Sequence, residues 1–155
     1  GKSMKKQTIF LLSGIFFALD LVVKQVIRLF LTHSLPLIPH FLSLTYTENR
    51  GAAWGIFDQY PILLIGIAIF FLWFLLHNIK QEAKIKKITG LAYALILGGL
   101  LGNLFDRLFF GYVIDYIQVF LGNYAFPIFN LADTFLVVGI ILWIIEIIRG
   151  EKHEL

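Results

Sequence analysis

The chain has 155 residues, 59% hydrophobic and 15% charged, with no cysteine and a formal net charge of +3; its mean hydropathy is +0.83. It is too apolar for an ordinary soluble domain and fits a single polytopic membrane domain. The missing cysteines exclude disulfides, thiol nucleophiles and thiolate metal sites. The basic residues cluster by topology rather than along one face, so no nucleic-acid partner is expected.

Gly1, Lys2 and Ser3 precede an initiator-like Met4 and read as a cloning remnant, outside the fold. The first apolar run, about 8–30, is long enough to cross a bilayer, which takes about 20 helical residues. It has no small-residue cleavage site and carries internal charge, which argues against a removable signal peptide. Asp20, Lys24 and Arg28 recur every fourth residue and share one helical stripe. Read structurally, Lys24 and Arg28 snorkel to the outer interface while Asp20 pairs with Lys24. Read functionally, the stripe faces a polar cavity and steadies a site.

From about 36 to 58 the pattern changes to prolines, then alternation through Leu42–Thr47, then Asn49-Arg50-Gly51-Ala52-Ala53-Trp54-Gly55. This predicts short strands with a glycine-relieved turn, an interfacial β-cradle too polar to span. Locally, Gly51 and Gly55 read as turn residues and Trp54 as an interface anchor. The second span, about 60–79, carries no chemistry. A basic loop at about 80–87 follows, with Lys80, Lys84, Lys86 and Lys87. Together with Lys5, Lys6, Arg149 and Lys152, it predicts both termini on the cytoplasmic side and residues 31–60 and 111–130 outside.

The third span, about 88–109, contains Gly98 and Gly102, a GxxxG packing face. Gly99, Asn103 and Asp106 share another stripe, with Arg107 adjacent and positioned for an Asp106–Arg107 ion pair. The fourth span, about 131–149, puts Asp133 in its first turn, with Asn130 as N-cap of a capping-box-like pair. Asp115 stands in the apolar connection between these spans. Charged groups among hydrocarbon-like residues cost about 2.5–3.5 kcal/mol each at a helix centre, so several together call for a use. Topology lets Asp115 and Asp133 meet at the outer boundary, where two facing carboxylates share a proton, as hydrolysis of a peptide by an aspartic dyad requires. His33, His40, His77 and His153 have no metal-ligand spacing, no serine has the local signature of an activated nucleophile, and no phosphate-binding glycine loop is present. No metal or cofactor is expected. A proton or ion carrier using intramembrane carboxylates is the alternative, and it predicts repeats that the sequence lacks.

The blocks Asp20-x-x-x-Lys24, Asn49-x-Gly-Ala-Ala53, Gly98-Gly-x-x-Gly-Asn-x-x-Asp-Arg107, Val113-x-Asp-Tyr116 and Phe126-Pro-x-Phe-Asn-x-Ala-Asp133 stand in one order. In that order they resemble the bacterial lipoprotein signal peptidases (signal peptidase II) from Met4 to about Arg149. The resemblance implies an all-α membrane fold of four transmembrane helices with a small extracytoplasmic β-cradle between helices 1 and 2. It implies an aspartic endopeptidase that removes signal peptides from prolipoproteins by cleaving before a diacylglyceryl-modified cysteine. The enzyme would sit in the bacterial cell membrane as a monomer, with its site toward the outer leaflet. The catalytic pair falls on Asp115 and Asp133. Asn49, Gly51, Gly99, Asn103, Arg107 and Asn130 fall on substrate-site positions, and Asp20, Lys24 and Asp106 on supporting ones. Leu-Val-Val between Asp20 and Lys24, Leu100, Trp54 and Tyr116 depart mildly from the family pattern.

Overall fold

The computed structural model describes residues 2–154. Among the described residues four helices are long and apolar enough to cross a membrane: α1 (Lys6–Phe30), α2 (Pro61–Gln81), α3 (Lys87–Phe110) and α4 (Leu131–Glu154). Two of the boundaries have a clear local cause. Pro61 starts α2, where its missing N–H is no loss. Gly111 ends α3 in the left-handed conformation (φ 77°) and returns its N–H to Arg107 O at 3.1 Å.

The central helix is α3. In its apolar window 67% of the residues are buried, against 22%, 17% and 11% for α1, α2 and α4. Glycines allow this close packing. A Cβ on Gly98 would lie 2.6 Å from Phe16 Cβ of α1, and one on Gly102 would overlap the Asp20 carboxylate, so the GxxxG face is a seam with α1. The outward faces of the other helices carry Leu11, Val22, Ile62, Phe70, Trp73 and Ile141, as lipid-facing surfaces do.

Two sheets cap the ends of the bundle. At one end β1 (Ser3–Met4) pairs antiparallel with β4 (Ile85–Lys86). Ser3, expected to lie outside the fold, is therefore opposite Lys86, and Met4 packs against Gly90. At the other end a four-stranded antiparallel sheet has the order β2 (Leu35–Ile38), β3 (Leu42–Asn49), β5 (Val113–Leu121), β6 (Tyr124–Ala125). Half of this cradle thus comes from the connection between α3 and α4, whereas the sequence predicts it from the segment between helices 1 and 2 alone. The alternation is weak in β5 because its first four residues are all buried. Ile114 and Tyr116 pack on Ile27 and Val23 of α1, which anchors the sheet to the bundle.

Candidate active site

Asp115 owes its direction to a β-bulge. Leu44 lies opposite Ile117, but past an irregularity Thr47 lies opposite Asp115 and Asn49 opposite Val113. Had the first register continued, Asn49 would face Tyr112 and stand on the opposite face from Asp115, because side chains alternate along a strand. The extra residue puts both on one face. Asn49 Nδ2 donates to Asp115 Oδ2 at 3.0 Å, and Asn49 Oδ1 accepts the Gly51 N–H at 2.9 Å.

Asp133 is delivered by the start of α4. The Phe129 N–H donates to Ile117 O at 3.0 Å and Phe129 O accepts the Ile117 N–H at 2.8 Å, which pins the preceding segment to β5. Asn130 and Asp133 then cap the helix reciprocally. The Asp133 N–H donates to Asn130 Oδ1 at 2.8 Å, and the Asn130 N–H donates to Asp133 Oδ2 at 3.1 Å. Capping does not remove Asp133 from the cleft; it fixes the side chain there. The Tyr116 hydroxyl accepts the Leu131 N–H at 3.1 Å, a further cap that phenylalanine could not supply.

Asn130 joins the two carboxylates. Its Nδ2 lies 2.9 Å from Asp115 Oδ1, 2.9 Å from Asn103 Oδ1 and 3.2 Å from Ile114 O, so its two hydrogens serve three acceptors. Asn103 Nδ2 donates to Asp133 Oδ1 at 2.9 Å. All four carboxylate oxygens therefore accept an amide or backbone N–H. Among the described residues neither acid has an ion-pair partner. Burial, and then the neighbouring Asp133, push the Asp115 carboxyl up to about 7.

Behind this pair lies an ionic triad. Lys24, fully buried, has its Nζ 2.7 Å from Asp20 Oδ2 and 3.2 Å from Asp106 Oδ2, and donates to Asn103 Oδ1 at 3.1 Å and Gly102 O at 3.2 Å. Lys24 therefore does not snorkel, because two carboxylates inside the bundle outcompete a distant interface. The pairing of Asp20 with Lys24 stands alongside the contact with Asn103. Arg28, one turn on, is exposed and donates to Gln25 Oε1 at 2.9 Å. The ion pair expected between Asp106 and Arg107 does not form. Adjacent helical residues point about 100° apart, and Asp106 faces α1 and the Ile114 N–H (3.1 Å) while Arg107 Nη2 donates to Gly51 O at 3.3 Å.

A cleft of about 370 Å³ is lined by Asn49, Asn103, Arg107, Asp115 and Asp133 together with apolar Ala53, Ile128, Phe129 and Leu136. No sequence signal points to these apolar walls as cleft lining, although Ala53 and Phe129 stand at fixed positions of the family blocks. Gly51 stands beside the cleft and tolerates no side chain, since a Cβ would meet Ile56 O at 2.6 Å. Gly99 does not line the cleft. It lets α4 approach α3, with Ala132 O 2.5 Å from where a Cβ would sit. Among the described residues no group of three His, Cys, Asp or Glu side chains has the geometry to hold a metal ion.

Fold and site together define a polytopic helical membrane protein with a polar, carboxylate-bearing cleft at one end of its bundle. Residues 12–149 match the family described as signal peptidase (SPase) II. A bacterial membrane enzyme solved by the in meso method at 2.3 Å resolution is 33% identical, with 99% of this chain and 95% of that one covered and a TM-score of 0.89. A second bacterial membrane enzyme, solved at 1.9 Å, is 35% identical over 94% of this chain and 96% of that one, with a TM-score of 0.83. The chain belongs to the signal peptidase II family, whose peptidases process lipoproteins.

Proposed function

We propose that this protein is an aspartic endopeptidase that removes the signal peptide of diacylglyceryl-modified prolipoproteins by cutting before the lipidated cysteine, with Asp115 and Asp133 as the catalytic pair. The strongest support is that both carboxylates line one cleft, are bridged by Asn130 and, among the described residues, lack a neutralising cation within ion-pair distance. Such a pair can hold a single proton between two acids. The ionised member takes a proton from water as its oxygen attacks the peptide carbonyl, and the protonated member gives its proton to the carbonyl oxygen. Collapse of the tetrahedral diol breaks the C–N bond and returns a proton to the leaving cysteine amine. The apolar wall of Phe129, Ile128 and Leu136 suits an extended signal peptide, and Arg107 and Asn49 offer polar contacts to its backbone.

We place the cleft toward the outer leaflet, with both termini cytoplasmic, the chain acting as a monomer. A diacylglyceryl anchor holds the scissile bond at headgroup depth, where water is available. The test is cleavage of a diacylglyceryl-modified prolipoprotein by purified protein without added metal. Asp115→Asn and Asp133→Asn should each lower kcat by about 10³-fold or more with unfolding midpoints close to wild type. Full activity in either variant would refute the pairing.

A further inference from the structure

An amide can serve a carboxylate in only one orientation. Asn103 Nδ2 faces Asp133 Oδ1; turned over, the side chain would press Oδ1 against another acceptor. Two donors hold the oxygen end away, Lys24 Nζ at 3.1 Å and Asn130 Nδ2 at 2.9 Å. The Asn130 amide is divided among three acceptors. An ammonium only donates, so a buried Lys24 is incompatible with the flipped amide.

The two acids that hold Lys24 each reach a neighbour of the dyad. Asp20 Oδ1 accepts the Ala132 N–H at 3.0 Å, one residue before Asp133. Asp106 Oδ2 accepts the Ile114 N–H at 3.1 Å, one residue before Asp115. The triad is thus fastened to the cleft at three points, on two helices and a strand.

Building on the peptidase reading above, we propose that Lys24 is a positioning residue. Its ammonium, gripped by Asp20 and Asp106, fixes the Asn103 amide so that it donates to Asp133, while the two acids hold the backbone beside each catalytic carboxylate. Lys24 touches no reacting atom. Its effect on rate passes through Asn103.

A double-mutant cycle separates this role from general support of the bundle. kcat and KM are measured in nanodiscs on one diacylglyceryl-modified prolipoprotein for wild type, Lys24→Met, Asn103→Ala and the double variant, with unfolding midpoints alongside. Each single change should lower kcat by about 10- to 100-fold and leave KM within about threefold. The double variant should match Asn103→Ala within about threefold, because no amide remains to be oriented. Losses that multiply, or wild-type kcat in Lys24→Met, overturn the proposal. If Lys24→Met does not fold, the cycle is run in an Asp106→Asn background, where Lys24→Met leaves the triad with its wild-type formal charge and the amide still accepts the Ile114 N–H; the same two criteria decide. A wild-type protein that cleaves nothing overturns the peptidase reading and the clamp together. A wild type that cleaves, with multiplying losses in the cycle, overturns the clamp alone.

Discussion

The four aspartates Asp20, Asp106, Asp115 and Asp133, in and behind the cleft, share a residue type but not a neighbourhood. Asp20 and Asp106 face Lys24, and their charges are spent on an ammonium and on backbone N–H groups. Asp115 and Asp133 face amides and a cleft, with no cation in ion-pair contact among the described residues. A carboxylate neutralised by a buried lysine has little left to offer a substrate, whereas one held only by N–H donors keeps a proton to exchange. Whether the partner is an ammonium or an amide thus separates bracing acids from reactive ones.

The contrast breaks first on stability. Removing the cation by Lys24→Met strands two buried carboxylates and should cost about 3–5 kcal/mol, read as a large drop in unfolding midpoint in detergent. Asp115→Asn removes a proton-exchanging group without leaving a charge unpaired, so it should cost far less. Equal losses in the two variants would erase the distinction between the groups.

The effect of pH sharpens it next. Burial and Asp133 keep the proton on Asp115 to about 7, whereas an unfolded chain releases it near 3.8. Between those values the native state binds more protons than the unfolded one. The stability contributed by this group is therefore full below about pH 4 and is lost as pH rises through about 7. Asp115→Asn should flatten that slope. In the wild type, cleavage should fall about tenfold per pH unit above about 7 as the pair loses its remaining proton, and an alkaline limb beginning above about pH 9 would contradict the shared-proton assignment.

The smallest effect is expected at Arg28, which belongs to the same stripe as Asp20 and Lys24 but points outward. Arg28→Ala should change stability by no more than about 0.5 kcal/mol and leave kcat unaltered. A loss comparable to that of Lys24→Met would mean that the whole stripe acts as one unit.

Residue types and helical spacing carry much of this architecture. Long apolar runs determine four spans, because a bilayer accepts little else. Three- and four-residue spacing determines that Asp20 and Lys24 share a face, that Asn130 and Asp133 cap one helix, and that Gly98 and Gly102 form a packing seam. Such relations are local and follow from helix geometry alone. The partners of Asp106 and Arg107 were not legible, since adjacent residues on a helix diverge and each chose a partner far away in sequence. Nor was the inward course of Lys24, which depends on two acids from different helices converging on it.

Local periodicity and the cost of charge in a membrane are enough to set the four helices, the capped start of α4 and the presence of acids where hydrocarbon was expected. Which carboxylate meets a lysine and which meets amides is settled by long-range register and packing: one extra residue in β3 turns Asn49 and Asp115 to the same face, and a glycine seam brings Lys24 within reach of Asn103.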